Sequence, residues 1–112
     1  VLPDLYERIG AYYPDLALSQ FNTIEDWNQI LYYEAMGGGG GDWSAVMQEY
    51  ASRIEVSTPN FKQYLAPGEQ HCIIPDDSFF SMTSDGVKVI DWLMDRVEDV
   101  EVDSVHCEEC EE

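Results

Sequence analysis

Positive charge is what this chain most lacks. Five Lys and Arg stand against 23 Asp and Glu in 112 residues, a net charge of −18. Phosphate backbones and anionic headgroups repel such a chain, so neither a nucleic acid nor a membrane surface is an expected partner. Long apolar runs are also missing. None approaches the roughly 18 residues of a membrane span, and Val1-Leu2-Pro3-Asp4 lacks the basic-then-apolar pattern of a signal peptide. The first residue is not Met, and we expect a piece of a longer or processed polypeptide. No Gly-x-Ser-x-Gly occurs; Ser19, Ser44 and Ser78 all stand in other contexts. The spacing and the glycine of a calcium loop are missing. The run Gly37 to Gly41 has no strand before it and no Lys-Ser or Lys-Thr after it, so it reads as a flexible helix-to-helix connection and not as a phosphate loop.

With 45% apolar residues the chain suits a single segment with a core of its own, over 1–112. Leu2, Leu5, Ile9 and Tyr12 recur at helical steps, predicting a helix from about Pro3 to Tyr13 that Pro14 ends. Leu16 to Phe21 reads as a short buried strand. Trp27, Ile30, Leu31 and Ala35 mark a second helix, with Thr23 as its cap and Asp26 three residues on, a capping-box spacing. Asp42 caps a third helix whose apolar face is Trp43, Val46, Met47, Tyr50 and Ile54. Phe61 to Ala66 is a strand stopped by Pro67-Gly68. After an irregular stretch, Pro75 to Phe80, Asp85-Gly86 opens a last helix with Val87, Ile90, Leu93, Met94 and Val97 inward. Asp95, Glu98, Asp99, Glu101 and Asp103 belong to its solvated face and to an acidic, cysteine-containing tail, 98–112. Strands separated by helices predict an α/β fold with a parallel sheet. Two short strands, apolar on both faces, need further neighbours to pair and cover them, a second sign of a missing partner segment.

Cys72, Cys107 and Cys110 are an odd set, so one disulfide and one free or externally paired thiol are expected. His106, Cys107 and Cys110 also offer three metal ligands, but the further ligands of a closed zinc site are absent. Structural bridging is the preferred role, and no metal is assigned.

Two polar residues occupy corresponding places. Asp26 lies just beyond the first strand and His71 just beyond the second, where open α/β sheets carry their chemistry. Adjacent parallel strands would bring the two together. A carboxylate holding an imidazole is the back half of a Ser-His-Asp relay: the acid fixes the tautomer and stabilises the imidazolium, and the imidazole takes the nucleophile's proton. In α/β-hydrolases the chain order is nucleophile, acid, base, so an acid and base without a nucleophile suit a C-terminal portion. A helix cap for Asp26 and an ordinary loop histidine for His71 are the plain alternatives.

The segments Ser19 to Gln29, Glu69-Gln70-His71-Cys72 and Val102 to Cys110 resemble the C-terminal third of the pectin acetylesterase family, which includes the animal carboxylesterase Notum. Asp26 with Gln29 matches its Asp-x-x-Gln motif, and His71 with Cys72 its His near a Cys. The resemblance implies the C-terminal part of an α/β-hydrolase-like parallel sheet flanked by helices, in a serine esterase acting on an acylated carbohydrate such as pectin. It further implies Asp26 as catalytic acid, His71 as catalytic base, no cofactor, a nucleophilic serine from a missing N-terminal segment or another chain, and a secreted or luminal location. Plant members end in a richer cysteine pattern than Cys107-x-x-Cys110. Two other classes remain beside this one: a non-catalytic structural or interaction protein on a degenerate hydrolase fold, and a small metal-binding module at His106, Cys107 and Cys110.

Overall fold

A computed structural model describes residues 2–38 and 42–110. The order of helices and of the two longer strands is the expected one, and an unexpected small hairpin precedes the last helix: α1 (Leu2–Tyr12), β1 (Leu18–Thr23), α2 (Trp27–Tyr33), α3 (Trp43–Ser57), β2 (Phe61–Ala66), the hairpin of β3 (Thr83–Ser84) and β4 (Val87–Lys88), and α4 (Val89–Val97). β1 and β2 pair in parallel, with Leu18 opposite Phe61 and Thr23 opposite Ala66. The α/β class is therefore present in a small parallel sheet.

Because side chains alternate along a strand, the register sorts the sheet into two faces. Phe21 and Tyr64 stack on one face at 5.8 Å, and Trp92 of α4 meets Tyr64 edge-on at 5.5 Å. Ala66, Ile73, Val89 and Val105 complete that core. On the other face Phe61 meets Tyr6 of α1, and α3 supplies the buried Ala51 and Ile54. Helices thus cover both faces of β2, whose residues are buried except for the half-buried Lys62. Burial pushes the Tyr64 phenol up to about 12, so it stays neutral and donates to the Val87 carbonyl.

The neighbour that β2 needed on its far edge comes from the tail. Val105 N–H donates to Gln63 O and Leu65 N–H to Val105 O, both at 2.8 Å, extending the sheet by one parallel bridge. Val105 and Cys107 are buried, so the segment beyond 98 is not simply a solvated acidic tail. Trp92 Nε1–H donates to Asp103 O, and Asp85 accepts from the N–H groups of Glu108 and Glu109. His106 Nε2 lies 2.9 Å from both Glu55 oxygens. Cys107 and Cys110 form a disulfide across this turn, and Cys72 is a free, exposed thiol.

Several expectations need correcting. β1 is Leu18–Thr23, shifted from the expected Leu16 to Phe21, and Thr23 ends it instead of capping α2. Asp85-Gly86 does not open a helix. Both residues have positive φ, 52° and 79°, the geometry of a tight hairpin turn, and α4 begins only at Val89. The buried side of α4 is Val89 and Trp92, while Met94 and Val97 are exposed. In α1 and α2 the expected inward residues Leu2, Leu5, Tyr12, Trp27 and Leu31 are more than half exposed. A helical stripe marks which face is apolar, and nothing among the described residues covers these. After α2 the chain widens into a π turn over Glu34–Gly38. The rest of the glycine run, Gly39 to Gly41, lies outside the described residues. Asp42 does cap α3, accepting from Ala45 N–H.

Two outcomes test this fold. Trp92→Ala should cost about 3–5 kcal/mol in urea unfolding, and a loss below about 1 kcal/mol would show that the core lies elsewhere. Burial alone would raise the Glu55 carboxyl, but the Ser104 hydroxyl and the His106 ring outweigh it and hold the group below its usual 4.5. A lowered carboxyl stabilises the fold above its unfolded value and loses that contribution as pH falls through the folded one. The stability gap between the parent and Glu55→Gln should therefore shrink as pH falls from about 4.5 through the lowered value of the carboxyl; a gap that does not change over that range would exclude the tie.

Candidate active site

Parallel pairing in register brings β1 and β2 to an end side by side, at Thr23 and Ala66. The two chains do not part there. Ile24 N–H donates to Ala66 O at 2.9 Å, Glu25 N–H to Gly68 O at 3.0 Å and Trp27 N–H to Glu69 O at 3.1 Å. The left-handed φ of 103° at Gly68 turns the second chain after Pro67. Beneath this seam the Thr23 hydroxyl donates to Gln70 O at 2.6 Å.

Asp26 begins α2. Its Oδ1 accepts from Asn28 N–H at 3.1 Å and Gln29 N–H at 3.0 Å, so it is itself the helix cap that the sequence assigned to Thr23. Short polar residues cap because their oxygens reach the first free N–H groups of a helix. That bonding fixes the carboxylate, which is nearly buried, against the loop that follows β2. His71 Nδ1 lies 2.9 Å from Oδ2 and 3.0 Å from Oδ1 across a sequence separation of 45. An ionised carboxylate only accepts, so Nδ1 carries the proton and Nε2 of the neutral ring holds a lone pair. The His71 side chain is 38% exposed and that of Asp26 3%, leaving the imidazole reachable from solvent and its acid shielded.

The other histidine provides a contrast. His106 also meets a carboxylate, Glu55, but it uses Nε2, sits 55% exposed beside the middle of the sheet, and ties the tail to α3. It lacks both the position beyond a strand end and the helix-capped acid.

Of the remaining expectations, Gln29 contributes its backbone N–H to Asp26. Gln29 also lines a cavity of about 550 Å³, together with Gln20, Asn22, Tyr33 and Trp43. Cys72 follows His71 and pairs with neither other cysteine. The sulfurs of Cys107 and Cys110 are joined to each other, which removes two of the three ligands of the metal-module reading. No group of three or more His, Cys, Asp or Glu among the described residues is arranged to hold a metal ion. The serines have other partners: Ser19 accepts from Arg96, Ser44 from Gln48, and Ser78 donates to Gln70 Oε1. Sequence reasoning missed Thr23 and Ser78 as neighbours of the His71 loop. Both reach Gln70, and no spacing rule signals a bond across 47 positions. Compared with known proteins, the chain matches no family model, no curated sequence and no solved structure.

Proposed function

We propose that this chain supplies the acid and base of a serine carboxylic-ester hydrolase, acting on an acylated carbohydrate such as acetylated pectin. The single observation that carries the reading is the Asp26–His71 pair, set beyond the ends of adjacent parallel strands with Nδ1 held by a shielded carboxylate. The motif resemblance supports the choice of esterase among the chemistries such a pair serves.

The steps follow from the protonation states. His71 Nε2 takes the proton of a serine hydroxyl as its oxygen attacks the ester carbonyl, and Asp26 stabilises the imidazolium that forms. His71 then returns the proton to the departing alcohol, leaving an acyl-serine. In the second half it deprotonates the water that attacks this acyl group, releasing the acid and the free serine. No metal or organic cofactor enters these steps. The serine and the donors that stabilise the tetrahedral oxyanion come from a segment outside these 112 residues, either N-terminal to them or on another chain. Two features favour such a partner. The edge of β1 away from β2 carries no strand among the described residues, and Leu2, Leu5, Trp27 and Leu31 are exposed on helices beside the sheet. In this reading the enzyme is secreted or luminal, a setting with which the Cys107–Cys110 disulfide is compatible. No helix among the described residues is long and apolar enough to cross a membrane.

One observation favours a non-catalytic alternative: Asp26 already has a structural task as the cap of α2. Asp26→Asn separates the two roles, because Asn caps as well as Asp does. Stability should change by less than about 1 kcal/mol, while ester hydrolysis by the intact polypeptide falls about 10⁴-fold, as expected when an amide favours the wrong imidazole tautomer. Unchanged hydrolysis would remove Asp26 from the mechanism. The intact polypeptide should also take up a fluorophosphonate on a serine, and His71→Ala should abolish labelling while the protein stays folded. A folded parent that takes no label would bring the structural alternative forward.

A further inference from the structure

We infer that Thr23 is a positioning residue for His71, acting through the Gln70 carbonyl. The inference rests on reading His71 as a general base, yet its central measurement does not require catalysis.

Apart from its bond to Asp26, little fixes the His71 imidazole. His71 lies five residues beyond the end of β2, on a loop segment with no regular structure, and both His71 and Cys72 are exposed. The backbone bonds between the two loops stop at Trp27 N–H to Glu69 O, two residues before His71. The next attachment along the loop is the Thr23 hydroxyl on Gln70 O, at 2.6 Å, the carbonyl of the peptide that leads into His71. Thr23 is fully buried in β1 opposite Ala66, so its own position is set by the sheet and not by the loop. A buried side chain therefore holds the peptide unit from which the His71 backbone departs. Ser78 Oγ donates to Gln70 Oε1 at 3.0 Å and steadies the same residue from its other end.

The Asp26 side is already fixed by two helix N–H groups, so the distance across the pair depends on where the His71 backbone sits. A shift of about 1 Å in a reacting group costs on the order of 100-fold in rate. Val keeps the shape of Thr and loses the donor, whereas Ser keeps the donor and loses a buried methyl. A positioning role and a packing role thus predict opposite patterns for these two substitutions.

The readout is the imidazole Nδ1–H proton, which resonates far downfield and exchanges slowly with water when bonded to a carboxylate. It is followed by proton NMR in the intact polypeptide, with selective ¹⁵N-histidine labelling and His71→Gln for assignment. The parent and Thr23→Ser should show this resonance. Thr23→Val should lose it to faster exchange while its circular dichroism stays native, and its kcat for ester hydrolysis should fall about 10- to 100-fold with KM unchanged. Retention of the resonance and of kcat in folded Thr23→Val would overturn the inference, as would its loss in Thr23→Ser with retention in Thr23→Val. If Thr23→Val does not fold, Thr23→Cys replaces it. The thiol is a weaker donor of similar size, so its signal should exchange faster than that of Thr23→Ser, and equal exchange would overturn the inference. Failure of the esterase reading is separately visible: a parent that shows the Nδ1–H resonance but neither hydrolyses esters nor takes the fluorophosphonate leaves Asp26–His71 bonded without that chemistry, and the resonance of the variants still decides the role of Thr23.

Discussion

The structure depends on one parallel pairing held in register. Leu18 to Thr23 and Phe61 to Ala66 are both six residues long and paired in full, so they exit side by side at one end of the sheet. A slip of one residue would turn Phe21 and Tyr64 to opposite faces and break their stacking, and it would also part Asp26 from His71. The stack is in turn backed by Trp92, whose indole reaches Asp103 in the segment that adds Val105 to the other edge of β2. Core, tail and site are therefore arranged about a single strand, and the histidine lies where that strand's continuation is delivered.

Asp26 serves two elements at once. A carboxylate has roughly four lone-pair directions, and here one oxygen serves two helix N–H groups while both face the imidazole. The cap holds the carboxylate in place, and a fixed carboxylate is what the proposed orienting role would require. Arg96 acts similarly for the fold. Its guanidinium donates to Leu18 O, Ser19 Oγ and Asn60 O at the opposite end of the strands, spending one of only five cations on backbone carbonyls and a hydroxyl instead of on a carboxylate.

What was legible in the sequence follows from locality. The bounds of β2, the Asp42 cap and the Pro67-Gly68 turn are written in adjacent residues, and they stand where they were expected. The meeting of Asp26 with His71 was legible because parallel topology constrains strand ends even without knowledge of side chains. The hairpin turn at Asp85-Gly86 was misread because Asp-Gly suits both a helix entrance and a tight turn, and only the two positive φ values decide. The docking of Val105 was hidden by composition: a run rich in Asp and Glu looks solvated, yet alternate residues of a strand face opposite sides, so one buried valine suffices. The buried faces of α1 and α4 were rotated from expectation because an apolar stripe wider than its cover leaves some of its residues outside, as Leu5 and Val97 are.

Charge constrains the proposed substrate further. A surface with net charge −18 lowers the local concentration of anions and raises that of cations, by an amount that falls with ionic strength. A polysaccharide bearing many free carboxylates is disfavoured near this chain, whereas one whose acids are esterified, or a neutral acetylated glycan, is not. The same field disfavours the anionic carboxylate that the proposed reaction would release. Approach of a neutral ester and departure of the acid product are thus the two steps of the proposed reaction that this field does not oppose. The acidity that makes nucleic acids and lipid headgroups unexpected partners is compatible with the proposed neutral ester substrate.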